Sequence, residues 1–181
     1  MNRTDRLYVF DFDDTLVRAD GQIFVTKTDG SRVPVTPHQF YDYCLEPGET
    51  FDFTEFDEAE LASNSIIIPE MWEIFEQKIA EHGQGAVAIC TARSFDQSVI
   101  NFLNNQGIHI TVAAVGVHIA GVNTTEQNAI KKKNWIEQAI QQTGATHVEF
   151  WDDNSRNIHR VNELNLELPE VKIVTHHVIE V

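Results

Sequence analysis

The apolar run Leu7-Tyr8-Val9-Phe10 breaks abruptly into Asp11-Phe12-Asp13-Asp14-Thr15. Four bulky apolar residues in succession predict a strand buried on both faces, as in a parallel sheet covered by helices. Asp11 and Asp13 stand two residues apart, so they share one side of the backbone at the end of that strand. Carboxylates held there are costly unless a cation or hydrogen bonds replace the lost water. A hard divalent cation fits best, and Mg²⁺ with its oxygen shell is the natural choice. The plainer alternative is an acidic Asx-type turn in which Thr15 caps a helix.

The pattern beyond Thr15 supports the sheet. Alternation over Gln22 to Thr28, then Asp29-Gly30, then Ser31 to Val35 predicts a β-hairpin. Thr36-Pro37 reads as a helix start, with Thr36 as N-cap and Pro37 in the first turn, running to about Leu45. Glu49 to Ser65 is acidic, and its plain reading is a solvated irregular loop. From Pro69, strands and helices alternate. Met71, Ile74, Phe75 and Ile79 fall at helical spacing before Gly83, and Ala86 to Cys90 is a buried-type strand. Ser94 to Gln97 and Thr124 to Gln127 read as capping boxes of helices closed by Gly107 and Gly144. Strands follow at Ile108 to Val115, His147 to Trp151 and Val171 to Val174, with a helix over Ser155 to Leu164. The expected fold is α/β: a doubly wound, Rossmann-like parallel sheet with helices on both faces, in one domain over 1–181. A hairpin flap and a small cap would occupy an insertion at about 17–84. A cap that small leaves a site open, which suits bulky substrates.

Ligands of such sheets collect at the carboxyl ends of the strands. Read in order, those ends carry Asp11 and Asp13, then Thr91-Ala92-Arg93, then Asp152-Asp153 with Asn157 one turn later. Lys131-Lys132-Lys133 lies on the helix before the last of them. Each has a bland counterpart in a strand-end residue, a solvated lysine face or a helix-entry acid pair. None of these explains the order. Trp135 and Trp151 sit in apolar patterns and read as core.

Composition narrows the function classes. The 181 residues carry 28 acids against 13 Lys and Arg, a net charge of −15. That argues against extended nucleic-acid binding, although a nucleic-acid end remains a candidate substrate. No apolar run approaches the ~20 residues of a membrane span, and the N-terminus lacks a signal-peptide core. Cys44 and Cys90 suit a reduced, cytoplasmic protein, with Cys90 as a buried small hydrophobe. The eight histidines lack zinc-site spacing.

Asp-x-Asp-x-Thr-Leu, the strand closing in Ile-Cys-Thr, the lysine cluster and Trp-Asp-Asp-x-x-x-Asn together resemble the four motifs of the haloacid dehalogenase (HAD) superfamily of phosphohydrolases. The Asp-Asp form and Thr-x-Arg are also similar to the phosphatase domains of polynucleotide kinase-phosphatases. The fourth motif departs from the commoner Gly-Asp-x-x-x-Asp at Asp152 and Asn157. The resemblance implies a Mg²⁺-dependent phosphomonoesterase. Asp11 would be the nucleophile that becomes aspartyl-phosphate, and Asp13 the general acid and base. Thr91 and one lysine, best Lys132, would neutralise the transferring group. Asp11, the Asp13 carbonyl and Asp153 would hold the metal, with Asp152 in support. Thr15 and Arg93 would contact substrate, with Arg18 and Arg32 as weaker candidates. Alternatives are a phosphotransferase or mutase with the same residues, or a catalytically silent binding protein of the same fold. A response-regulator-type acceptor domain uses similar groups in a different chain order, and a dehalogenase would leave Asp13 without a leaving oxygen to protonate.

Overall fold

The computed structural model describes residues 3–18, 22–57, 65–116 and 124–179. Its centre is a five-stranded parallel sheet ordered β10-β9-β1-β7-β8. These strands are β1 (Arg6–Phe10), β7 (Val87–Thr91), β8 (Thr111–Ala114), β9 (His147–Asp152) and β10 (Lys172–His177). The chain starts in the middle, builds outward through β7 and β8, then crosses to β9 and β10. β1 therefore lies at the switch point of an α/β sheet, where a crevice opens beyond the strand ends.

Each face of β1 meets a different helical layer, which explains its unbroken apolar run. Tyr8 and Phe10 pack with Trp72, Phe75 and Phe102 from α3 (Pro69–His82) and α4 (Gln97–Asn105). Leu7 and Val9 pack with Ile136 and Ile140 of α5 (Thr125–Thr143) and Val161 of α6 (Ser155–Asn162). Trp151 belongs to the core, stacked between Phe10 at 4.3 Å and His176 at 4.5 Å. Cys90 is buried on the second face. α7 (Leu164–Glu167) splits off from the helix expected over Ser155 to Leu164. No described helix is long and apolar enough to cross a membrane.

The insertion leaves and rejoins the core at one neck. There β2 (Val17–Arg18) pairs antiparallel with β6 (Ile66–Ile67), and Ile68 N–H donates to Leu16 C=O at 2.9 Å. The expected hairpin forms from β3 (Ile23–Thr26) and β4 (Arg32–Val35). Its turn spans Lys27 to Gly30, closed by Gly30 N–H to Lys27 C=O at 2.9 Å, with Gly30 at φ 83°. A third strand, β5 (Thr50–Asp52), pairs with β3.

Three local expectations need correcting. Glu49 to Ser65 is not simply a solvated loop. It supplies β5 and the helical turn α2 (Thr54–Asp57), because Phe51, Phe53 and Phe56 join Ile23, Val25, Val35 and Phe40 in a small core. Glu58 and Glu60 of that segment lie outside the described residues. Glu49 itself is buried and paired with Lys27. The helix at Pro37 ends at Asp42, short of Leu45; Thr36 caps it reciprocally with Gln39. The box expected at Thr124 does not form, and the N-cap of α4 is Asp96, which makes no side-chain cap bond. α4 begins only at Gln97, after the chain has turned to bond Arg93 C=O to Gly116 N–H, and Thr124 turns a fully buried hydroxyl inward.

Candidate functional site

Sheet register brings the acids together. Phe10 lies level with Ile89 on β7 and Trp151 on β9, so Asp11 emerges beside Asp152. Asp11 N–H donates to Trp151 C=O at 2.9 Å, carrying the ladder one step past the strand. The chain then folds back sharply: Leu16 and Val17 N–H both donate to Phe12 C=O, and Asp14 adopts φ 56°, which a short acid tolerates. This reversal leaves Asp13 facing the end of β7.

Lys132 reaches the site from the second turn of α5. Its buried ammonium donates to Asp11 Oδ1 and Asp152 Oδ2, each at 2.7 Å. Burial disfavours its charge, but the two carboxylates outweigh burial and hold its pKa well above the usual value. Of the three lysines, Lys133 is engaged by Glu163 and Glu167 on the outer surface, and Lys131 is exposed.

The paired acids differ in kind. Asp152 is fully buried, and its two oxygens accept from Lys132, from Asn154 N–H at 2.8 Å, and from Asn157 Nδ2 at 2.9 and 3.0 Å. Asp153 Oδ1 is buried and accepts nothing. One oxygen from each of Asp11, Asp152 and Asp153 lies within 4.8 Å of the others. Burial first, and then the neighbouring charges of Asp152 and Asp11, push Asp153 up to about 9. Burial likewise lifts Asp11 to about 7 against the pull of Lys132. A bare, buried carboxylate oxygen among crowded acids is the donor set a hard divalent cation accepts.

Asp13 is held from the other side. Arg93 is fully buried and grips both its oxygens, Nε to Oδ2 at 2.9 Å and Nη2 to Oδ1 at 2.7 Å. Thr91 Oγ1 lies 3.4 Å from Asp13 Oδ2 and accepts from Arg93 N–H at 3.2 Å. Arg93 Nη1 also donates to the C=O of Phe56 in α2, linking the insertion to Asp13. Thr15 is fully buried and its hydroxyl accepts from Asp153 N–H at 3.1 Å, so it ties the two acidic loops together. Thr15 and Arg93 thus stand behind the carboxylates. Arg18 and Arg32 lie outside the cluster, and Arg32 pairs with Asp52 and Glu55.

A cavity opens over Asp11, Asp13 and Lys132. Thr125, Asn128, Asn154 and Asn157 form one side, and Ile23, Phe40, Phe53 and Phe56 of the insertion form the other. The insertion therefore reaches over the acids. Asn128 belongs to none of the sequence motifs, although it lies four residues before Lys132 on the same helix face, a spacing that signals a shared site. The aromatic wall has no comparable local signal, since it depends on how the insertion docks. No family model matches this sequence, and no curated protein matches it.

Proposed function

We propose that the protein is a Mg²⁺-dependent phosphomonoesterase of the haloacid dehalogenase type. The observation that carries this reading is the trio at the strand ends. Asp11 is bonded to Lys132, Asp13 stands beside it, and Asp153 keeps a buried oxygen without a hydrogen-bond partner. The four motifs that carry the resemblance come together around that one opening.

Asp11 and Asp153 would hold the ion, joined by the Asp13 backbone carbonyl as the resemblance implies, with Asp152 orienting Lys132 behind them. When bound, the ion offsets the repulsion between carboxylate and phosphate and draws charge from the phosphoryl oxygens. The chain's own residues do the rest. An Asp11 oxygen attacks phosphorus, the P–O bond to the alcohol breaks, and Asp13 gives its proton to the departing oxygen. Asp13 then takes a proton from water, whose oxygen attacks phosphorus and restores the Asp11 carboxylate with release of inorganic phosphate. Lys132 and Thr91 neutralise charge on the transferring group. Arg93 fixes the direction in which Asp13 points.

The test is hydrolysis of p-nitrophenyl phosphate with and without Mg²⁺. Mg²⁺-dependent release that disappears in Asp11→Asn, with the variant's circular dichroism and melting unchanged in form, is the expected result. Equal turnover in that variant removes Asp11 as nucleophile.

A further inference from the structure

The cavity over Asp11 has almost no uncommitted positive charge. All 13 Lys and Arg residues lie among the described residues, and of them Lys132 alone lines the cavity. Its ammonium is already shared by Asp11 and Asp152. Arg93 lies behind Asp13 and grips it by both oxygens. Arg156, in the first turn of α6, stands 3.6 Å from Asp42. One phosphoryl group can be received at Asp11 by Lys132 and a metal ion. A second anionic group on the same molecule would meet no further Lys or Arg in the described lining and would face a chain of net charge −15.

The far wall offers something else. Ile23, Phe40, Phe53 and Phe56 present hydrocarbon, flanked by the uncharged polar groups of Thr125 and Asn128. The enclosed space is small, about 40 Å³ to a water-sized sphere, and it opens to solvent, so only a small group fits beside the phosphoryl position. These four side chains also build the insertion's own core, so their apolar character serves folding as well. A ligand series on the unaltered protein separates the two roles, whereas truncating a ring would confound them.

Taking the site as a phosphomonoesterase, we infer that its substrates are monophosphates of small, uncharged, largely apolar alcohols, seated with the hydrocarbon against Ile23, Phe40, Phe53 and Phe56. Bisphosphates, phosphorylated carboxylic acids and phosphate-ended nucleic acids are poor ligands, because each brings a further anion to a wall whose described residues include no further Lys or Arg.

The experiment is isothermal titration of the Mg²⁺-loaded protein with phenylethylphosphonate, hydroxyethylphosphonate, phosphonoacetate and a phosphate-ended oligonucleotide. Phenylethylphosphonate should bind roughly tenfold or more tighter than hydroxyethylphosphonate, the effect of burying part of a phenyl ring. Phosphonoacetate and the oligonucleotide should be weakest. Equal affinities, tightest binding by either multiply charged ligand, or no binding by any of the four overturns the inference. Turnover of p-nitrophenyl phosphate without the binding preference removes this inference alone. The preference without turnover removes the phosphatase reading and leaves the ligand class standing.

Discussion

Arg93 holds the carboxylate of Asp13 by both oxygens across 80 residues of sequence, with no exposure of its own to solvent. The same guanidinium donates to Phe56 C=O, so one side chain ties the β7 end, the β1 end and the insertion together. Removing the buried Arg93 strands the half-buried charge of Asp13. Arg93→Met should therefore cost about 3–5 kcal/mol of unfolding free energy. With Asp13→Asn in the same chain the loss should fall short of the sum by about 1–3 kcal/mol. Urea denaturation of the two single variants and the double variant measures that coupling, and strict additivity would show the pair to be idle.

Lys132 is the only cation bonded to Asp11 and Asp152 among the described residues, so its loss should be felt most where those acids are charged. Lys132→Met leaves two buried carboxylates to repel each other. At about pH 8 Asp11 must ionise or take up a proton at a cost, whereas near pH 5 its protonation is cheap. The variant should lose several kcal/mol at the higher pH and distinctly less at the lower. Denaturant midpoints at the two pH values check this, and a loss independent of pH would point to packing alone.

The metal-free protein should become less stable as pH rises. Asp11 and Asp153 are raised from 3.8 to about 7 and about 9, chiefly by burial. Between the ordinary carboxylate range and those values the folded state keeps protons that the unfolded chain has released, so raising the pH favours unfolding. The fall should begin above about pH 4 and end once each group has ionised. Mg²⁺ binds the ionised carboxylates, so it should flatten the decline, and its own affinity should increase over the same range. Melting temperatures across pH, with and without saturating Mg²⁺, read both effects. A melting temperature of the metal-free protein that rises with pH through this window contradicts the burial of these acids.

Much of this arrangement is legible in the sequence because it depends on strands buried on both faces. The strands β1 and β7 are short apolar runs and β9 carries a shorter one in Phe150 and Trp151, and parallel pairing obliges their carboxyl ends to converge. That convergence is why Asp11, Thr91 and Asp152 group together on sequence alone. The neck between β2 and β6 is not legible, since two residues per strand carry no period. β5 is hidden by acids: in Thr50-Phe51-Asp52-Phe53 the alternation is real, but the charged residues around it dominate the composition. The Arg93–Asp13 pair and the aromatic wall arise from docking between distant segments, which local spacing does not encode. The capping box at Thr124 fails for a related reason. A side chain suited to capping is free to take a tertiary position instead, as the inward hydroxyl of Thr124 does.

Asp152 and Asp153 are adjacent in sequence, yet substituting them should produce different losses. Asp152 is saturated by Lys132, Asn154 and Asn157, so its role is to hold other groups in place. Asp152→Asn turns either a neutral oxygen or an amide donor toward the Lys132 ammonium, and it weakens the anchor of the α6 entry. It should lower unfolding free energy by about 2–4 kcal/mol and weaken Mg²⁺ binding only about tenfold, as losses behind a metal's own ligands do. Asp153 has a buried oxygen with no hydrogen-bond partner and an acid group made unfavourable by its surroundings. Asp153→Asn removes an acid that the metal-free fold must keep protonated at about pH 8, so stability there should be unchanged or higher. Mg²⁺ binding should instead fall roughly a hundredfold or more, because a ligand itself is lost. Calorimetric titration with Mg²⁺ and urea denaturation of both variants decide between them, and the reverse order of losses would move the metal ligand from Asp153 to Asp152.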